Sequence, residues 1–416
     1  MTQTPYYVTA QEAAEMLQVR VETIYAYVSR GLLRSEPGSG KQRARLYRVE
    51  DVQRLQEKKS YRQDPSSAAT GAMHWGMPVL KSALTLISEN GVYYRGENVV
   101  QLALSESIER VASLLWHGES GPGERFLLEN TLPVATYLQQ LHQLAQSTQA
   151  LQRLSIALTL ASADDIAAYD LDPSLEQSTQ IGARILYLMA SVLTQAPQNN
   201  LALATMLQRR WCPEDERTTR LFNAALILCA DHELNASSFV AHVVASAQSS
   251  LYQVVIAGLA TLQGFRHGGV TWLVERFLQE VEAPQQANTV ITARLKRGEQ
   301  IPAFGHKLYP SGDPRAIFLL DLLKQMYPDA SSLQCSLAII ETMSQLTGKL
   351  PTLDFALVTM AQTLELPPDS ALALFALGRS VGWIAHALEQ YADGQLIRPR
   401  AQYTGLLPDS SAIQKY

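Results

Sequence analysis

Several histidines, arginines and one aspartate stand out because each lies in a short polar stretch between apolar, helix-like segments. They are His232 in ADHELNAS, His267 in GFRHGG, His306 and Arg315 in AFGHKLYPSGDPR, Asp354 in LDF, Arg379 in GRSVGW and Arg398 in IRPR. Arginine binds carboxylates in bidentate fashion, histidine donates to a developing oxyanion, and aspartate acts as a general base. The set suits proton abstraction beside a carbonyl and attack of the enol on a second carbonyl, although residue types alone also fit other chemistries.

Glycine and proline shape the surroundings of two of these histidines. Residues 301–315 contain three prolines and two glycines, which discourage a helix and predict a rigid turn that presents His306. His267 is followed by Gly268 and Gly269, where the lack of a side chain would permit close approach of a ligand. We therefore expect a site at loops and helix ends.

Other histidines and acids have simpler interpretations. His242 and His386 lie in apolar helical patterns and are interpreted as satisfied core residues, and Asp313 as a turn former or a partner of Arg315. Histidine and carboxylate side chains can also ligate a metal. Because no spacing of the HExxH type occurs, we predict no metal site.

The elements that must position these groups are mostly helices. RLFNAALILCA has apolar residues at helical spacing, at 221, 222, 225, 226 and 229. DSALALFALGRSVGWIAHALEQ predicts a helix buried on most sides, in which Arg379 and Glu389 require partners because lone buried charges are costly. LTLISENGVYYRG predicts a hairpin that turns at Asn90-Gly91.

Composition indicates a soluble, multidomain protein. The 416 residues are 47% hydrophobic and 18% charged, and they suit two or three domains. No run of eighteen apolar residues and no signal pattern is present, so no membrane span is expected. The three cysteines are widely spaced, which favours reduced thiols and a cytoplasmic location.

Charge separates a basic head from an acidic body. Residues 1–62 carry eleven basic and seven acidic side chains, whereas the rest carries 23 and 32. In the head, Thr9 and Glu12 form a capping-box pattern at the start of one helix. A second helix is predicted from Val21 to Ser29, ended by Gly31, with Leu32 and Leu33 returning to the core before a β-wing.

The head resembles the helix-turn-helix of mercury-resistance regulators and excisionases, most specifically in AAEMLQVRVETIYAYVSRGLL. Such domains place the second helix in the major groove and the wing on the backbone. The resemblance implies contacts to DNA bases or phosphates from Arg20, Thr23, Tyr25, Arg34, Lys41, Arg43 and Arg45. The alternatives are a small basic interaction module, or a relic that only packs on its partner. Residues 63–71 are predicted to form a linker.

The body, from about residue 72 to 416, resembles citrate synthase. LISENGVYYRG, ADHELNAS, HGG, FGHKLY…GDPRA, LDF and GRSVGWIAHALEQ…IRPRAQYTG occur in that family's order and spacing. The resemblance implies that Asp354 removes the α-proton of an acyl-CoA, that His267 hydrogen-bonds the thioester oxygen, and that His306 polarises the ketone of oxaloacetate. His232, Arg315 and Arg379 would then hold oxaloacetate's carboxylates, and Arg398 would reach the site of a neighbouring subunit in a homodimer with shared active sites.

For coenzyme A, the resemblance implies a pocket lined by the backbone of Ala303, Phe304 and Gly305, with Lys307 near a phosphate. Coenzyme A enters as a thioester substrate, and no cofactor is expected. The family often has Pro-Gly where Pro302-Ala303 stand here, and the run ALVTMAQ after Phe355 departs from its usual pattern. Because that run borders the acyl pocket, the acyl group is left open.

The resulting hypothesis is a mainly α-helical, two-domain citrate synthase-like enzyme preceded by a winged helix-turn-helix. The predicted domains are 1–62 for DNA binding, 72–267 with 367–416 for the large domain, and 268–366 for the small domain. The predicted reaction condenses an acyl-CoA, acetyl-CoA first, with oxaloacetate. The alternatives are a 2-methylcitrate synthase that uses propionyl-CoA, and a transcriptional regulator whose body senses metabolites.

Overall fold

The structure is a computed structural model. It describes residues 7–30, 32–37, 45–48, 51–52, 55, 80–88, 91–118, 132–170, 172–197, 201–401 and 403–406. The chain divides into two compact units, Met1–Lys81 and Ser82–Tyr416. The predicted linker 63–71 lies outside the described residues.

The N-terminal unit contains a helix-turn-helix and a small antiparallel sheet. Its elements are β1 (Tyr7–Thr9), α1 (Ala10–Leu17), α2 (Val21–Ser29), β2 (Ser35–Pro37) and β3 (Arg45–Arg48). The Thr9 side chain caps α1 and Glu12 bonds back to the Thr9 backbone, so the predicted capping box is confirmed. The bounds predicted for α2 are also confirmed.

The wing strands pair as expected, with an addition that was not foreseen. β2 pairs with β3, and β3 also pairs with β1 in a sheet of order β1-β3-β2. The core of this unit consists of Val8, Ala13, Ala14, Leu17, Ile24, Leu33, Tyr47 and Val52. Leu32 was expected in the core and is instead 43% exposed, because only its neighbour Leu33 turns inward. The predicted helix stop, Gly31, lies outside the described residues.

The C-terminal unit, the body, starts with the predicted hairpin. Its strands are β4 (Thr85–Ser88), β5 (Gly91–Tyr94) and β6 (Glu97–Asn98), which form an antiparallel sheet in that order. Gly91, the first residue of β5, lies opposite Ser88, the last residue of β4, so the predicted hairpin is confirmed. Positions 89 and 90 lie outside the described residues.

The rest of the described body is helical. The helices are α3 (Val99–Ser105), α4 (Ile108–His117), α5 (Val134–Leu141), α6 (Ala150–Asp164), α7 (Leu175–Thr194), α8 (Leu203–Trp211), α9 (Thr218–Cys229), α10 (Ala236–Ser246), α11 (Leu251–Leu262), α12 (Val270–Glu280), α13 (Ala287–Lys296), α14 (Pro314–Met326), α15 (Ser331–Thr347), α16 (Leu353–Thr363) and α17 (Ser370–Asp393). Short 3₁₀ turns occupy Ile166–Tyr169 and Pro284–Gln286.

Helix α17 is the centre of the body. It contacts α4, α6, α7, α9, α10, α11 and α16, and residues 370–387 are all buried. Glycines allow this close packing: a Cβ at Gly378 would lie 2.6 Å from the Leu226 carbonyl oxygen, and one at Gly382 would lie 2.3 Å from the Ala230 carbonyl oxygen. The polar residues carried by α17 are therefore pressed against the end of α9.

By length and composition α17 could cross a membrane, but its apolar window is completely buried inside the protein. Among the described residues no other helix meets that test. The two charges that were expected to need partners have them: Arg379 donates to the Cys229 carbonyl, and Glu389 accepts from Ser82 Oγ and the Ala83 amide.

Candidate active site

His232 lies in a sharp turn between α9 and α10. Glu233, the next residue, has a φ of +54°, a left-handed conformation that reverses the chain. Asn235 then caps α10, because its Oδ1 accepts the amides of Ser237 and Ser238 at 3.1 and 3.2 Å. His232 is 8% exposed, and its Nε2 lies 2.6 Å from the hydroxyl of Tyr309.

His306 lies in the predicted non-helical turn. The Leu308 amide donates to His306 Nδ1 at 3.1 Å, so the proton of the neutral ring is on Nε2. The ring centroid of His306 lies 5.4 Å from that of His232 and 4.9 Å from that of Tyr309. Burial, followed by the charge of Arg315, lowers the pKa of His306. The imidazole is therefore a neutral donor at pH 7.

The His306 turn is fastened to the start of α16 by backbone pairing. The Gly305 amide donates to the Leu350 carbonyl at 2.8 Å and the Thr352 amide donates to the Ala303 carbonyl at 2.9 Å. Ala303 has a φ of +60°, which is costly for a residue with a Cβ. These bonds hold His306 and Asp354 on one small platform.

Asp354 is the second residue of α16. Thr352 Oγ1 donates to Asp354 Oδ2 at 3.2 Å. Burial raises the pKa of Asp354 to about 6, although the charge of Arg315 and the Thr352 hydroxyl oppose that shift. Nearby, the ring centroids of Phe304 and Phe355 lie 4.9 Å apart. An ionised but poorly solvated carboxylate is a good general base near neutral pH.

Arg315 is buried and held by Asp313. The Arg315 guanidinium donates to both oxygens of that carboxylate at 3.0 and 2.8 Å. Asp313 also caps α14 through the Arg315 amide, so its predicted role as turn former and partner is confirmed. Its Oδ2 accepts the Leu353 amide at 3.2 Å. Asp313 thus connects the arginine to the first turn of the Asp354 helix.

His267 lies in the turn between α11 and α12. Its Nε2 lies 2.7 Å from Ser237 Oγ, which also lies 2.9 Å from Asn235 Oδ1. The Ser237 hydroxyl donates to Asn235 Oδ1, and its oxygen is held against His267 Nε2, so Ser237 orients the imidazole ring. Burial, followed by the charge of Arg379, lowers the pKa of His267 to about 4.

The glycines after His267 have a different role from the one expected. A Cβ at Gly268 would lie 2.6 Å from Leu262 Cδ1, and one at Gly269 would lie 2.5 Å from the Gln263 carbonyl oxygen. They allow the turn to pack on the end of α11. The space next to these glycines is therefore filled by the protein's own residues at the end of α11.

Arg379 is 1% exposed in the middle of α17. Its Nε donates to the Cys229 carbonyl at 2.7 Å, and its Cζ lies 4.9 Å from the ring centroid of Phe375. Burial lowers its pKa, opposed by the charge of Asp231. Among the described residues, no acceptor lies within hydrogen-bonding distance of its terminal nitrogens.

His232 is the common neighbour of the site. Burial lowers its pKa well below the usual value, and the charges of Arg315, Arg379, His306 and His267 add to the shift. These five residues therefore interact electrostatically, and Asp354 joins them because the charge of Arg315 also acts on it. Of the seven predicted catalytic and carboxylate-binding residues, all but Arg398 thus lie in one site. Two convergent guanidinium groups, three neutral imidazoles and one carboxylate form the core of the site.

Arg398 and the coenzyme A candidates are not part of this buried set. Arg398 is exposed in the segment after α17, and Lys307 is exposed in the His306 turn. Phe304 is buried, whereas Gly305 is exposed and has a φ of +80°.

Sequence reasoning missed Tyr309 and Ser237. Each orients one imidazole, and each lies inside a motif that was already singled out, Tyr309 in FGHKLY and Ser237 at the end of ADHELNAS. Hydroxyl side chains close to candidate histidines were the available signal.

The part of the chain that the structure describes has no group of three or more His, Cys, Asp or Glu placed to hold a metal ion.

The candidate DNA-contacting residues lie on α2 and the wing. Arg20 and Tyr25 are exposed, Tyr25 by 55%, and Thr23 is partly exposed. Arg45 is exposed and bonds Ser35 Oγ at 3.3 Å. Arg34 donates to both carboxylate oxygens of Asp51, which gives it a folding contact as well. Lys41 and Arg43 lie outside the described residues.

Comparison with known proteins decides the family. The profile for the citrate synthase C-terminal domain matches residues 72–400, and a helix-turn-helix domain profile matches residues 7–60. A citrate synthase of Haloferax volcanii is 33% identical over 79% of this chain and 94% of its own length. The chain belongs to the citrate synthase family. Both resemblances predicted from the sequence, including the helix-turn-helix, are confirmed.

Other members of the citrate synthase family agree. Citrate synthase 2 of Bacillus subtilis is 28% identical over 79% of the chain and 94% of its own length. The 2-methylcitrate synthase of Shewanella oneidensis is 26% identical over 82% of the chain and 96% of its own length. The Thermotoga maritima citrate synthase structure has a TM-score of 0.68 at 27% identity, covering 80% of this chain and 95% of that one. The predicted mainly helical citrate synthase fold and the condensing-enzyme class are confirmed.

Proposed function

We propose that the protein condenses acetyl-CoA with oxaloacetate and hydrolyses the resulting thioester to citrate and coenzyme A. The observation that supports this most is the combination of one carboxyl group with a pKa of about 6 and neutral imidazoles beside two buried arginines. A citrate synthase of Thermoplasma acidophilum with this fold, at 21% identity and a TM-score of 0.69, was solved with carboxymethyl coenzyme A and oxaloacetate. Coenzyme A is a substrate in this proposal, with no added cofactor.

Asp354 is the general base. Its carboxylate accepts a proton from the carbon next to the thioester carbonyl, and a pKa of about 6 leaves it mostly ionised at pH 7 while raising its basicity. The negative charge moves to the thioester oxygen. His267 donates a hydrogen bond to that oxygen, and its contact with Ser237 orients the ring.

The enol carbon then attacks the ketone of oxaloacetate. His306 donates from Nε2 to the ketone oxygen, and its proton is transferred as the alkoxide forms. His232 and the two arginines hold the substrate's carboxylates. Asp313 accepts from Nε and from one proton of Nη2 of Arg315, so the two Nη1 protons and the second Nη2 proton are left for the substrate. The product thioester is hydrolysed in the same site.

The remaining expected features complete the proposal. The Ala303–Gly305 backbone and Lys307 would bind coenzyme A, and Arg398 would reach the site of the other subunit in a homodimer. The segment 268–366 would close over the substrates and exclude water. The location would be the cytoplasm. Propionyl-CoA is the alternative acyl donor, since 2-methylcitrate synthases are among the relatives.

A thiol-release assay with oxaloacetate and a panel of acyl-CoAs tests the reaction. We expect release with acetyl-CoA and loss of at least about 1000-fold in kcat for Asp354→Asn, which keeps the shape but removes the base. The matched control is Asp321→Asn, which removes an exposed carboxylate paired with Lys324. Absence of release with every acyl-CoA, or activity of Asp354→Asn equal to that of the control, would refute the proposal.

A second candidate function is DNA binding by the head. It is favoured by the helix-turn-helix match over 7–60 and by the exposed side chains of Arg20 and Tyr25 on the second helix. In this case the body senses oxaloacetate or an acyl-CoA, with or without turnover. Specific binding to one DNA sequence that changes with oxaloacetate supports it. Affinity that is equal for all sequences and insensitive to oxaloacetate argues against it.

A further inference from the structure

A buried polar cluster lies directly behind the substrate-binding residues. Asp231, the residue before His232, is fully buried. Its Oδ1 lies 3.2 Å from His386 Nε2, and its Oδ2 accepts the Thr85 hydroxyl at 2.5 Å and the Glu233 amide at 3.2 Å. This one carboxylate therefore forms hydrogen bonds to α17, to β4 and to the backbone of its own turn.

The backbone of Asp231 is held as firmly as its side chain. The Tyr94 hydroxyl lies 3.0 Å from both the amide nitrogen and the carbonyl oxygen of Asp231, and it also donates to the Ile227 carbonyl at 3.1 Å. Tyr94 is fully buried. The chain cannot shift at Asp231 without breaking these bonds, so the direction in which the turn leaves α9 is fixed.

The same turn carries two groups of the site. We define the 229–233 turn as residues 229 to 233. Its Cys229 carbonyl accepts from Arg379, and His232 faces Tyr309 and His306. Its last residue, Glu233, has the strained φ of +54°, and the Glu233 amide bonds the Asp231 carboxylate. Asp231 therefore stabilises the conformation that aims His232.

Charge makes this arrangement depend on His386. A buried carboxylate is costly unless a positive group accompanies it. His386 is fully buried, yet Asp231 outweighs the effect of burial and raises its pKa. His386 Nδ1 has no hydrogen-bond partner among the described residues, and Glu389 Oε2 lies 3.9 Å from it. His386 was interpreted as a core residue with its hydrogen bonds satisfied, and this holds for Nε2 but not for Nδ1.

We propose that Asp231 and His386 are positioning residues for oxaloacetate binding. Their pair locks the 229–233 turn onto α17 so that His232 and Arg379 face the substrate's carboxylates. The inference rests on the proposed function for the identity of the ligand. Because neither residue is among the groups proposed to bind the acyl-CoA, the effect of losing the pair should fall on the affinity for oxaloacetate.

Steady-state kinetics of three graded variants test this. Asp231→Asn and His386→Leu remove the pair, and Thr85→Val removes one donor to the same carboxylate. We expect the KM for oxaloacetate to rise at least about 10-fold in the first two and by less in the third, with the KM for acyl-CoA changed by less than about 2-fold. His386→Gln keeps a donor toward Asp231 and should restore part of the affinity.

Asp165→Asn is the matched control. It breaks another buried ion pair of the body, with Arg184 at 2.9 Å, which has no contact with the 229–233 turn. It should lower the melting temperature and leave the KM for oxaloacetate unchanged. The proposal is overturned if the pair variants show only the same pattern as this control. Should Asp231→Asn not fold, His386→Gln and Thr85→Val carry the test.

Calorimetric titration with oxaloacetate separates the two levels of inference. If the wild-type protein turns over or binds oxaloacetate, and the variants bind oxaloacetate with the same affinity, only the positioning role is overturned. Wild-type protein that neither turns over nor binds oxaloacetate overturns the proposed function and this inference with it. Weaker oxaloacetate binding by the variants supports the positioning role even where turnover is low.

Discussion

Replacing Thr352 by valine tests whether the ionisation of Asp354 controls the rate. Thr352 is the N-cap residue of α16, but its side chain makes no capping bond to the helix amides and donates instead to Asp354 Oδ2 at 3.2 Å. The Thr352 amide keeps its bond to the Ala303 carbonyl in the variant. The substitution therefore removes one stabilising contact from the carboxylate and leaves the platform in place.

The expected shift follows from the hydrogen bond that is lost. A bond to a charged group contributes about 1.5–3 kcal/mol, and one pKa unit corresponds to about 1.4 kcal/mol. Since the bond is long, we take the lower end, which is about one unit. The pKa of Asp354, about 6 in the wild type, should rise toward about 7 in Thr352→Val.

The assay is log kcat/KM against pH in the thiol-release reaction. For the wild type, the ionised fraction of Asp354 falls from about nine-tenths at pH 7 to about one-tenth at pH 5, so the rate should fall about 10-fold. In Thr352→Val the acid limb should move up by about one pH unit. Thr159→Val, which removes a threonine hydroxyl bonded to a helix carbonyl on α6, is the control. A wild-type limb near pH 4, or a limb that does not move in Thr352→Val, refutes the reasoning.

Three further predictions concern stability and DNA. Asp354→Asn should stabilise the protein by at most about 3 kcal/mol at pH 7, because the pKa of Asp354 is raised from 3.8 to about 6. Ionisation then disfavours the folded state increasingly between pH 3.8 and 6 and fully above pH 6, so the gain should vanish below pH 3.8 in melting curves. Gly382→Ala should lower stability by about 1–3 kcal/mol in denaturant titrations, since its Cβ would meet the Ala230 carbonyl oxygen at 2.3 Å. Arg20→Ala with Arg45→Ala should reduce the salt slope of DNA binding by about 2 in fluorescence anisotropy, and an unchanged slope would exclude phosphate contacts at both positions.

Local signals in the sequence predicted local structure well. The capping box of Thr9 and Glu12 and the helix Val21–Ser29 were read from residues within one or two turns of each other. The buried face of α9 followed from its helical spacing. In these cases the side chains that decide the structure are neighbours along the chain, so the pattern alone contains the physical cause.

Predictions failed where distant residues decide the outcome. Gly268 is required by Leu262, a contact that depends on how α11 ends. Tyr309 meets His232 across 77 positions of sequence. Motif order indicated the site residues, but their tautomers and partners required coordinates.

The electrostatics of the site give the two arginines a second role. In the free protein, the charge of Arg315 helps to lower the pKa of His306, and that of Arg379 helps to lower the pKa of His267. A bound dicarboxylate would neutralise both guanidinium groups. The pKa of each histidine should then rise. Protonation of His306 to the imidazolium is therefore less favourable in the free protein than in the complex with oxaloacetate.

That change matches the order of events in the proposed reaction. His306 must first be a neutral Nε2 donor, as the Leu308 amide requires, and it must later be reprotonated after giving its proton to the alkoxide. Transfer of the Nε2 proton leaves an imidazolate, and neutralising the nearby Arg315 charge makes that imidazolate more basic, which favours its reprotonation. We therefore expect ¹⁵N spectra of His306 to show the Nε2–H tautomer at pH 7 without ligand and a higher pKa with oxaloacetate. A pKa that falls on binding would contradict the assignment of Arg315 to a substrate carboxylate.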